Sequence, residues 1–422
     1  MGEQRIITSS GIPVYTYLNP SSSGFFLSLF VRSGCMYEGE DECGITHFLE
    51  HISIRNVNAL MNGELYSTLD RYGIEFNAST FSEMVQFYTS GATENFSHAA
   101  PIFARLFDPI VLSSSQIDAE RERIRAEIRE ADDPGSITAF TSECVFRGTP
   151  LARSITGTRG SVSRIGKRRL EEYRRRIFVP GNVFVYITGN VSQADLDLLI
   201  RALDGVTLYS GEPNSNLAPV PADFMQRGGD VFVKNASYTG IRFSFDIDMS
   251  LASVPELDLL YDAMLCGYSS PLFMELSEGR GLCYDLSGTT ERYKNIGVLS
   301  FGFETRETRL YEAVEVCLDI LNRMKEVEYW AKAPLGASYV DNCMMLYDDA
   351  RDLNFTFAYD NYLLGLGYRD LADRRRAYQR VTPRRLAELC RQIFRGCALT
   401  VTVRGNKRRI DADKIKSICK AL

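Results

Sequence analysis

Two histidines and a glutamate stand close together near the N-terminus, in the segment THFLEHI at residues 46–52. Residues three and four positions apart lie on one face of an α-helix, so His47, Glu50 and His51 would project together. Two imidazoles placed in this way can occupy two of the four tetrahedral positions around zinc. The glutamate can then accept a proton from a water molecule that the metal activates. The spacing H-x-x-E-H therefore predicts a hydrolytic metal site.

The alternative interpretation of this segment is an ordinary amphipathic helix. Phe48, Leu49 and Ile52 would then pack inside, and the histidines would face solvent. The whole chain of 422 residues contains three histidines, and chance gives a poor account of two of them at this spacing around a glutamate. We therefore favour the metal site.

A catalytic zinc ion needs a third protein ligand, and a carboxylate is the remaining option. The third histidine, His98, begins a separate predicted helix and is interpreted as structural. Residues 116–131 form a charged predicted helix that contains several glutamates. Glu120 and Glu127 are two helical turns apart and therefore share a face. Spacing alone leaves four candidates open, namely Glu120, Glu122, Glu127 and Glu130.

The elements around these residues occur twice in the chain. RRLEEYRRRIFVPGNVFVYITGN at 168–190 aligns without a gap with RRLAELCRQIFRGCALTVTVRGN at 384–406. Each copy is typical of a helix followed by a strand, a loop and a closing helix. An offset of about half the chain indicates duplication of a domain-sized unit.

The repeat predicts an α+β fold of two homologous halves, each an antiparallel sheet packed with helices, joined by a linker in a clamshell-like arrangement. We place the first half at 1–208, the linker at 209–226 and the second half at 227–422. The linker contains GEPNSNLAPVPADF, whose prolines favour an extended conformation. The second half lacks the metal motif, so the first half would be catalytic.

Composition argues against several classes of function. A net charge of −6 gives no electrostatic basis for binding nucleic acid. No apolar stretch approaches the roughly 18 residues of a membrane span. Ten cysteines occur without a C-x-x-C pair, and no secretory signal is recognisable. We therefore expect reduced thiols and a cytoplasmic location.

Several segments together resemble the pitrilysin family, the inverzincin group that includes insulin-degrading enzyme and the mitochondrial processing peptidases. These segments are GITHFLEH, NAST, the glutamate-rich helix, GTRGSV…RRLEEYRRRIFVPGNVFVYITGNV and RGLCY. The resemblance covers nearly the whole chain, and the length is similar to the short branch of processing proteases. It implies a zinc-dependent endopeptidase that cleaves unfolded or short peptides and precursors, with one zinc ion per chain. His47 and His51 would be zinc ligands and Glu50 the general base.

The resemblance also selects among the glutamates. The family's third ligand lies about 76 positions after the second histidine, which corresponds to Glu127. A supporting glutamate seven residues earlier corresponds to Glu120, which would orient a ligand or the metal's water. Asn77 and Ala78 match a family segment beside an active-site edge strand. A peptide substrate would bind there as an added strand.

The second half departs from the family pattern in the stretch LSEGRGLCY. Active relatives carry an arginine and, seven residues later, a tyrosine. Tyr284 is present and would donate to the developing oxyanion, and Arg280 matches a second arginine and would contact substrate. Ser277 replaces the first arginine, and losing a donor of this kind typically costs about a hundredfold in rate.

Ser277 motivates a hypothesis about partners. The short branch usually works as two chains that close around a chamber, so a homodimer or a heterodimer with a related subunit is expected. In a heterodimer this chain would be the catalytic subunit, and its partner would supply the complete arginine and tyrosine pair.

Two alternatives remain. One is a non-catalytic structural or interaction subunit, similar to the family's respiratory-complex core subunits. Retention of both histidines, the base and the distant glutamate favours the peptidase over that alternative. The other is a zinc hydrolase of non-peptide amides, because a fold does not fix a substrate.

Overall fold

The computed structural model contains two sheets, and each packs against helices as an α+β fold requires. The residues that the structure describes are 2–131, 136–266, 269–332, 340 and 343–422.

The first sheet is formed by the N-terminal half and has six strands in the order β1-β2-β6-β3-β5-β4. Strands β2 and β6 are parallel, and the other neighbours are antiparallel. Strand β4 therefore forms one edge. The strands are β1 Gln4–Ile7, β2 Pro13–Leu18, β3 Gly24–Val31, β4 Glu75–Thr80, β5 Val85–Ala92 and β6 Val183–Gly189.

The second sheet repeats this topology with five strands in the order β7-β11-β8-β10-β9. Strands β7 and β11 are parallel, as β2 and β6 are. Strand β9 forms the edge that corresponds to β4. The matching orders confirm the duplication predicted from the aligned segments. The strands are β7 Asp230–Asn235, β8 Thr239–Asp248, β9 Leu286–Arg292, β10 Ile296–Thr305 and β11 Leu399–Gly405.

The helices lie between these strands in the sequence, except for the last helix, which follows β11. From the N-terminus to the linker they are α1 Ile45–Leu60, α2 Leu65–Tyr72, α3 Phe96–Ala104, α4 Ser114–Ala131, α5 Ile137–Val145, α6 Arg159–Val162, α7 Lys167–Ile177 and α8 Gln193–Asp204. After the linker they are α9 Val254–Leu265, α10 Leu310–Arg323, α11 Val327–Lys332, α12 Ala350–Ala358, α13 Leu371–Gln379, α14 Pro383–Ile393 and α15 Ala412–Cys419.

Side chains of β3 alternate between the two faces of the first sheet, and those on one face form part of its core. Phe25, Leu27 and Leu29 point to one face of the strand, where they form a cluster with Phe48 and Ile52 of α1. Each of these side chains is at most 2% exposed. Burying a large apolar side chain stabilises a fold by roughly 1.5–3 kcal/mol. This packing holds α1, which carries the motif, against the sheet.

The chain forms two compact units that do not follow the sequence halves throughout. Helix α12, from the second half of the sequence, packs against β3 and β6, and α5, from the first half, packs against β8 and β11. The units therefore differ from the continuous halves expected at 1–208 and 227–422, because a repeat alignment does not record which sheet a helix covers. Unit 1 comprises Met1–Asp133, Arg153–Asn216 and Met345–Leu371, and unit 2 comprises Pro134–Ala152, Leu217–Met344 and Ala372–Leu422.

Helices α5 and α12 are exchanged helices, because each covers a sheet formed by the other half of the sequence. Polar side chains fix each of them to that sheet. Asn354 of α12 is fully buried, and its side chain accepts from the Ser28 hydroxyl at 2.8 Å and donates to the Tyr186 carbonyl at 3.0 Å. In unit 2 the hydroxyls of Thr141 and Thr402 lie 2.6 Å apart. Buried polar groups of this kind are stable only when paired, so the pairs select one position for each helix.

Two further features bear on the expectations from composition. Within the described part of the chain, no helix combines the length and the apolar character that crossing a bilayer requires. All ten cysteines are free thiols, and most of them are buried.

Candidate metal centre

The N-terminus of α1 is held by a close backbone approach and by a buried carboxylate. Gly44 adopts a left-handed backbone with φ of 87°, and a Cβ atom there would lie 2.8 Å from the Cα of Gly157. The Glu38 carboxylate accepts from the backbone amides of Gly44 and Thr46, each at 2.9 Å. A carboxylate at this end satisfies amides that lack partners within the helix and complements its dipole. The turn that carries His47 is therefore fixed in place.

His47 and His51 lie one turn apart on α1, and Glu127 of α4 faces both. The distance from His47 Nε2 to Glu127 Oε1 is 3.5 Å, and His51 Nε2 lies 3.5 Å from Glu127 Oε2. One ligand atom from each of the three residues lies within 4.8 Å of the other two. These three predicted ligands are thus brought together.

The donor set and its spacing fit zinc. Two imidazole nitrogens and one carboxylate oxygen form a ligand set known from catalytic zinc sites. Tetrahedral bonds of about 2.0–2.1 Å would separate ligand atoms by about 3.3–3.4 Å, and each histidine nitrogen lies 3.5 Å from one of the two Glu127 oxygens. The observed distances exceed the usual range of an N–H···O hydrogen bond. The three side chains could therefore hold a zinc ion with small adjustments.

Glu120 lies behind His51 and is buried, with 6% exposure. His51 Nδ1 is 3.0 Å from Glu120 Oε1, and Arg55 Nε donates to Glu120 Oε2 at 2.9 Å. Glu120 thus contacts a predicted ligand through the nitrogen that does not face Glu127, the arrangement by which carboxylates orient ligating histidines. Arg55 was not predicted as a site residue, although its position four residues after His51 places it on the same face of α1.

Glu50 faces the edge strand of the first sheet. Its Oε2 atom accepts a hydrogen bond from the hydroxyl of Thr80, the last residue of β4. The sequence offers Thr80 only as the end of the segment NAST, and its approach to Glu50 depends on how β4 packs against α1. Thr80 was therefore not predicted as a site residue.

Burial and neighbouring charges set the protonation of these groups. Burial, together with His51, lowers the pKa of His47 to about 4. Burial opposes protonation of His51 too, but the hydrogen bond to Glu120 and the nearby carboxylates outweigh it and raise the pKa of His51. Burial raises the pKa of Glu50. His47 is thus neutral near pH 7, as a ligand must be, and Glu50 is shifted towards the range of an effective base.

Asn77 and Ala78 lie in the middle of β4, where they pair with Tyr88 and Phe87 of β5. Within the described sheet β4 has β5 as its strand neighbour, so its other side offers backbone groups for an added strand. The Asn77 side chain is exposed and accepts from the Ala78 amide at 2.9 Å.

The remaining candidates lie apart from this cluster. Glu122 is exposed and pairs with Arg125 at 2.7 Å, and His98 stacks on Tyr72 with ring centroids 3.7 Å apart. His98 thus has an aromatic packing partner on α2, in line with a structural role.

Ser277, Arg280 and Tyr284 belong to unit 2, whereas the three candidate metal ligands belong to unit 1. Tyr284 is 95% exposed, and the Ser277 hydroxyl donates to its backbone carbonyl at 3.5 Å. Positions 277 and 284 are therefore neighbours in space, as a cooperating pair would be. The roles of Arg280 and Tyr284 in the site remain predictions.

Two family models match the chain in succession. One, described as Insulinase (Peptidase family M16), matches residues 15–159, and the other, described as Peptidase M16 inactive domain, matches residues 164–328. The first match contains all of the candidate metal ligands. The second begins just before the repeated helix and strand of the first half.

Individual proteins agree with these matches. An uncharacterized zinc protease of Rickettsia felis is 26% identical over 308 residues, which cover 71% of this chain and 73% of the relative. A protease from Helicobacter pylori has a similar crystal structure, with a TM-score of 0.82 and 17% identity over 96% of this chain and 99% of that one. A chain of Complex III2 from Candida albicans, solved with Inz-5 bound, has a TM-score of 0.80 and 14% identity over 99% of both chains. At these identities the two solved structures show the fold alone.

Proposed function

Because the chain belongs to peptidase family M16, we propose that it is a zinc-dependent endopeptidase that cleaves unfolded or short peptides and precursors. The observation that carries this proposal is the convergence of His47, His51 and Glu127, with Glu50 on the same helix. A bound zinc ion would polarise the scissile carbonyl and lower the pKa of the attacking water. The family membership also agrees with the resemblance to pitrilysins that the sequence motifs indicated.

The protein's own residues would perform the proton transfers and hold the substrate. Glu50 would accept the proton of the attacking water and deliver it to the leaving amine. Glu120 would keep His51 turned so that Nε2 points to the metal. The free side of β4, with Asn77 and Ala78, would bind the peptide backbone as an added strand.

Two further residues, which the family resemblance indicates, would assist the reaction. Tyr284 would donate to the developing oxyanion, and Arg280 would contact the substrate. Since Ser277 stands where active relatives carry arginine, we propose that this chain is the catalytic subunit of a heterodimer, with a homodimer as the alternative. Free, mostly buried cysteines support a cytoplasmic location.

A second candidate function is a non-catalytic interaction subunit. A chain of Complex III2 shares the fold, and a fold does not by itself fix a function. The retained ligand set argues against this candidate, because a subunit that catalyses no reaction does not require two histidines, Glu50 and Glu127 in this arrangement.

The test compares the purified chain with its Glu50→Gln variant. Zinc content and cleavage of an unstructured peptide are measured in both, with the exposed Glu122→Gln as a matched control. We expect about one zinc ion per chain in all three proteins and cleavage by the wild type and the control alone. Zinc without cleavage in any of them would favour the interaction subunit or a missing partner. Absence of zinc from the wild type would overturn the proposal.

A further inference from the structure

A hydrogen bond between the side chains of Thr80 and Glu50, which are thirty residues apart in the sequence, joins β4 to α1. The Thr80 hydroxyl is the donor of their hydrogen bond, because an ionised carboxylate can only accept. Of the described residues, Thr80 is the one whose side chain bonds to the Glu50 carboxylate. The terminal torsion of a glutamate has a broad preference, so a single donor is enough to select the plane of the carboxylate. With Oε2 held by Thr80, Oε1 is left to accept a proton.

The position of Thr80 is itself well determined. Thr80 pairs with Val85, and the Phe81 amide donates to the Met84 carbonyl at 2.8 Å, which closes the turn between β4 and β5. The carbonyl of Ser82 in that turn accepts from the Met36 amide at 2.9 Å. The hydroxyl is therefore presented from a fixed hairpin rather than from a loose loop.

The hairpin is also tied to the start of α1. Gly34 has φ of 120°, and a Cβ atom on it would lie 2.4 Å from the Phe81 carbonyl oxygen, so backbone meets backbone there. The amide of Gly34 donates to the Thr46 hydroxyl at 3.0 Å, one residue before His47. Gly34 thus links the hairpin to α1, through a backbone contact on one side and a hydrogen bond to a side chain on the other.

We propose that Thr80 is a positioning residue that orients the general base and aligns it with the peptide strand bound at β4. This inference rests on the proposed function. A peptide that adds to β4 would be placed relative to Glu50 through a single hydrogen bond from the same strand. Loss of the hydroxyl should therefore impair turnover more than peptide binding.

The first experiment compares Thr80→Val, which keeps the shape but lacks the hydroxyl, with Thr80→Ser, which keeps it. Thr68→Val on α2 is the control for the substitution itself. We expect kcat to fall about tenfold or more in Thr80→Val with little change in KM. Zinc content should be unchanged, and Thr80→Ser should recover most of the rate. Equal rates for the wild type and Thr80→Val, or equally slow valine and serine variants, would overturn the proposal, as would loss of zinc.

The second experiment separates this inference from the proposed function because it needs no catalysis. Unfolding of the zinc-free protein is measured for the wild type, Thr80→Val, Glu50→Ala and the double variant. A hydrogen bond between the two side chains predicts that their effects are not additive. Non-additivity in a protein that cleaves nothing would support the contact while the peptidase function fails. Additive effects would overturn the positioning role even in an active peptidase.

Discussion

Glu120 and His51 form a pair in which the carboxylate holds the ring nitrogen turned away from Glu127. His51 Nδ1 lies 3.0 Å from Glu120 Oε1, while Nε2 lies 3.5 Å from Glu127 Oε2. Because the carboxylate accepts, Nδ1 carries the proton, and the lone pair of Nε2 is free for a metal in the neutral ring.

Weakening this pair should reduce affinity for zinc. Glu120→Gln keeps the size of the side chain but removes the charge that stabilises the Nδ1 proton, so we expect affinity to fall about 10- to 100-fold. Competition with a chromophoric chelator measures the affinity. Glu122→Gln on the same helix is the control, since Glu122 is exposed. Equal affinities for both variants would contradict the assigned role of Glu120.

Restoring the family's arginine should raise the activity of the isolated chain. In Ser277→Arg the new guanidinium would lie beside Tyr284, because the Ser277 hydroxyl already contacts the Tyr284 carbonyl. We expect kcat/KM to rise by up to about a hundredfold. Met274→Arg, at an exposed position in the same segment, controls for added charge. No increase would argue against a contribution from position 277.

A buried carboxyl in unit 2 should make stability depend on pH. Asp246 on β8 is 3% exposed, and burial raises its pKa to about 7 although Arg227 and Arg147 oppose the shift. Between roughly pH 4 and 7 the unfolded chain loses this proton while the folded chain keeps it, so stability falls as pH rises through this window.

Asp246→Asn removes this dependence. At about pH 8 the variant should be more stable than the wild type by up to about 4 kcal/mol, and the gap should narrow towards about pH 4. Urea unfolding at several pH values measures both. A gap that widens as pH falls would have the wrong sign for a buried acid.

Removing the buried amide of α12 should destabilise unit 1. Asn354→Ala would leave Ser28 and the carbonyl of Tyr186 without this partner, and we expect a loss of about 3 kcal/mol. Asn322→Ala is the control, because the two hydrogen bonds of its side chain, to the Ala421 carbonyl and from Lys325 Nζ, are less buried than those of Asn354. The melting temperatures of the two variants give the comparison, and an equal shift would show that the buried position of Asn354 is unimportant.

The spacing of residues within helices predicted much of the candidate metal centre. The residues that it did not predict reach the centre through packing between elements that are distant in the sequence. His47, Glu50 and His51 follow from helix periodicity, and the repeat predicted both sheets. The helix pattern could not choose between Glu120 and Glu127, whereas the structure places them on opposite nitrogens of His51.

Contacts between remote elements were not available to sequence reasoning. Thr80 reaches Glu50 because β4 packs beside α1, and no local pattern encodes that approach. The same holds for α5 and α12. Their amphipathic patterns indicate that each covers a surface, but not that each covers a sheet formed by the other half of the sequence.

The exchanged helices also govern the order in which the protein can be completed on the ribosome. Strand β6 closes the first sheet at Gly189, yet the helix that covers its aromatic face begins at Ala350, about 160 residues later. At a synthesis rate of roughly 5–20 residues per second, that face stays uncovered for about 10–30 s before α12 is made. Meanwhile α5 has been made before any strand of the sheet that it covers. A nascent chain would thus expose Tyr15, Tyr17 and Phe30 to chaperones until synthesis is nearly finished, and a gene fragment encoding either half would yield an uncovered sheet.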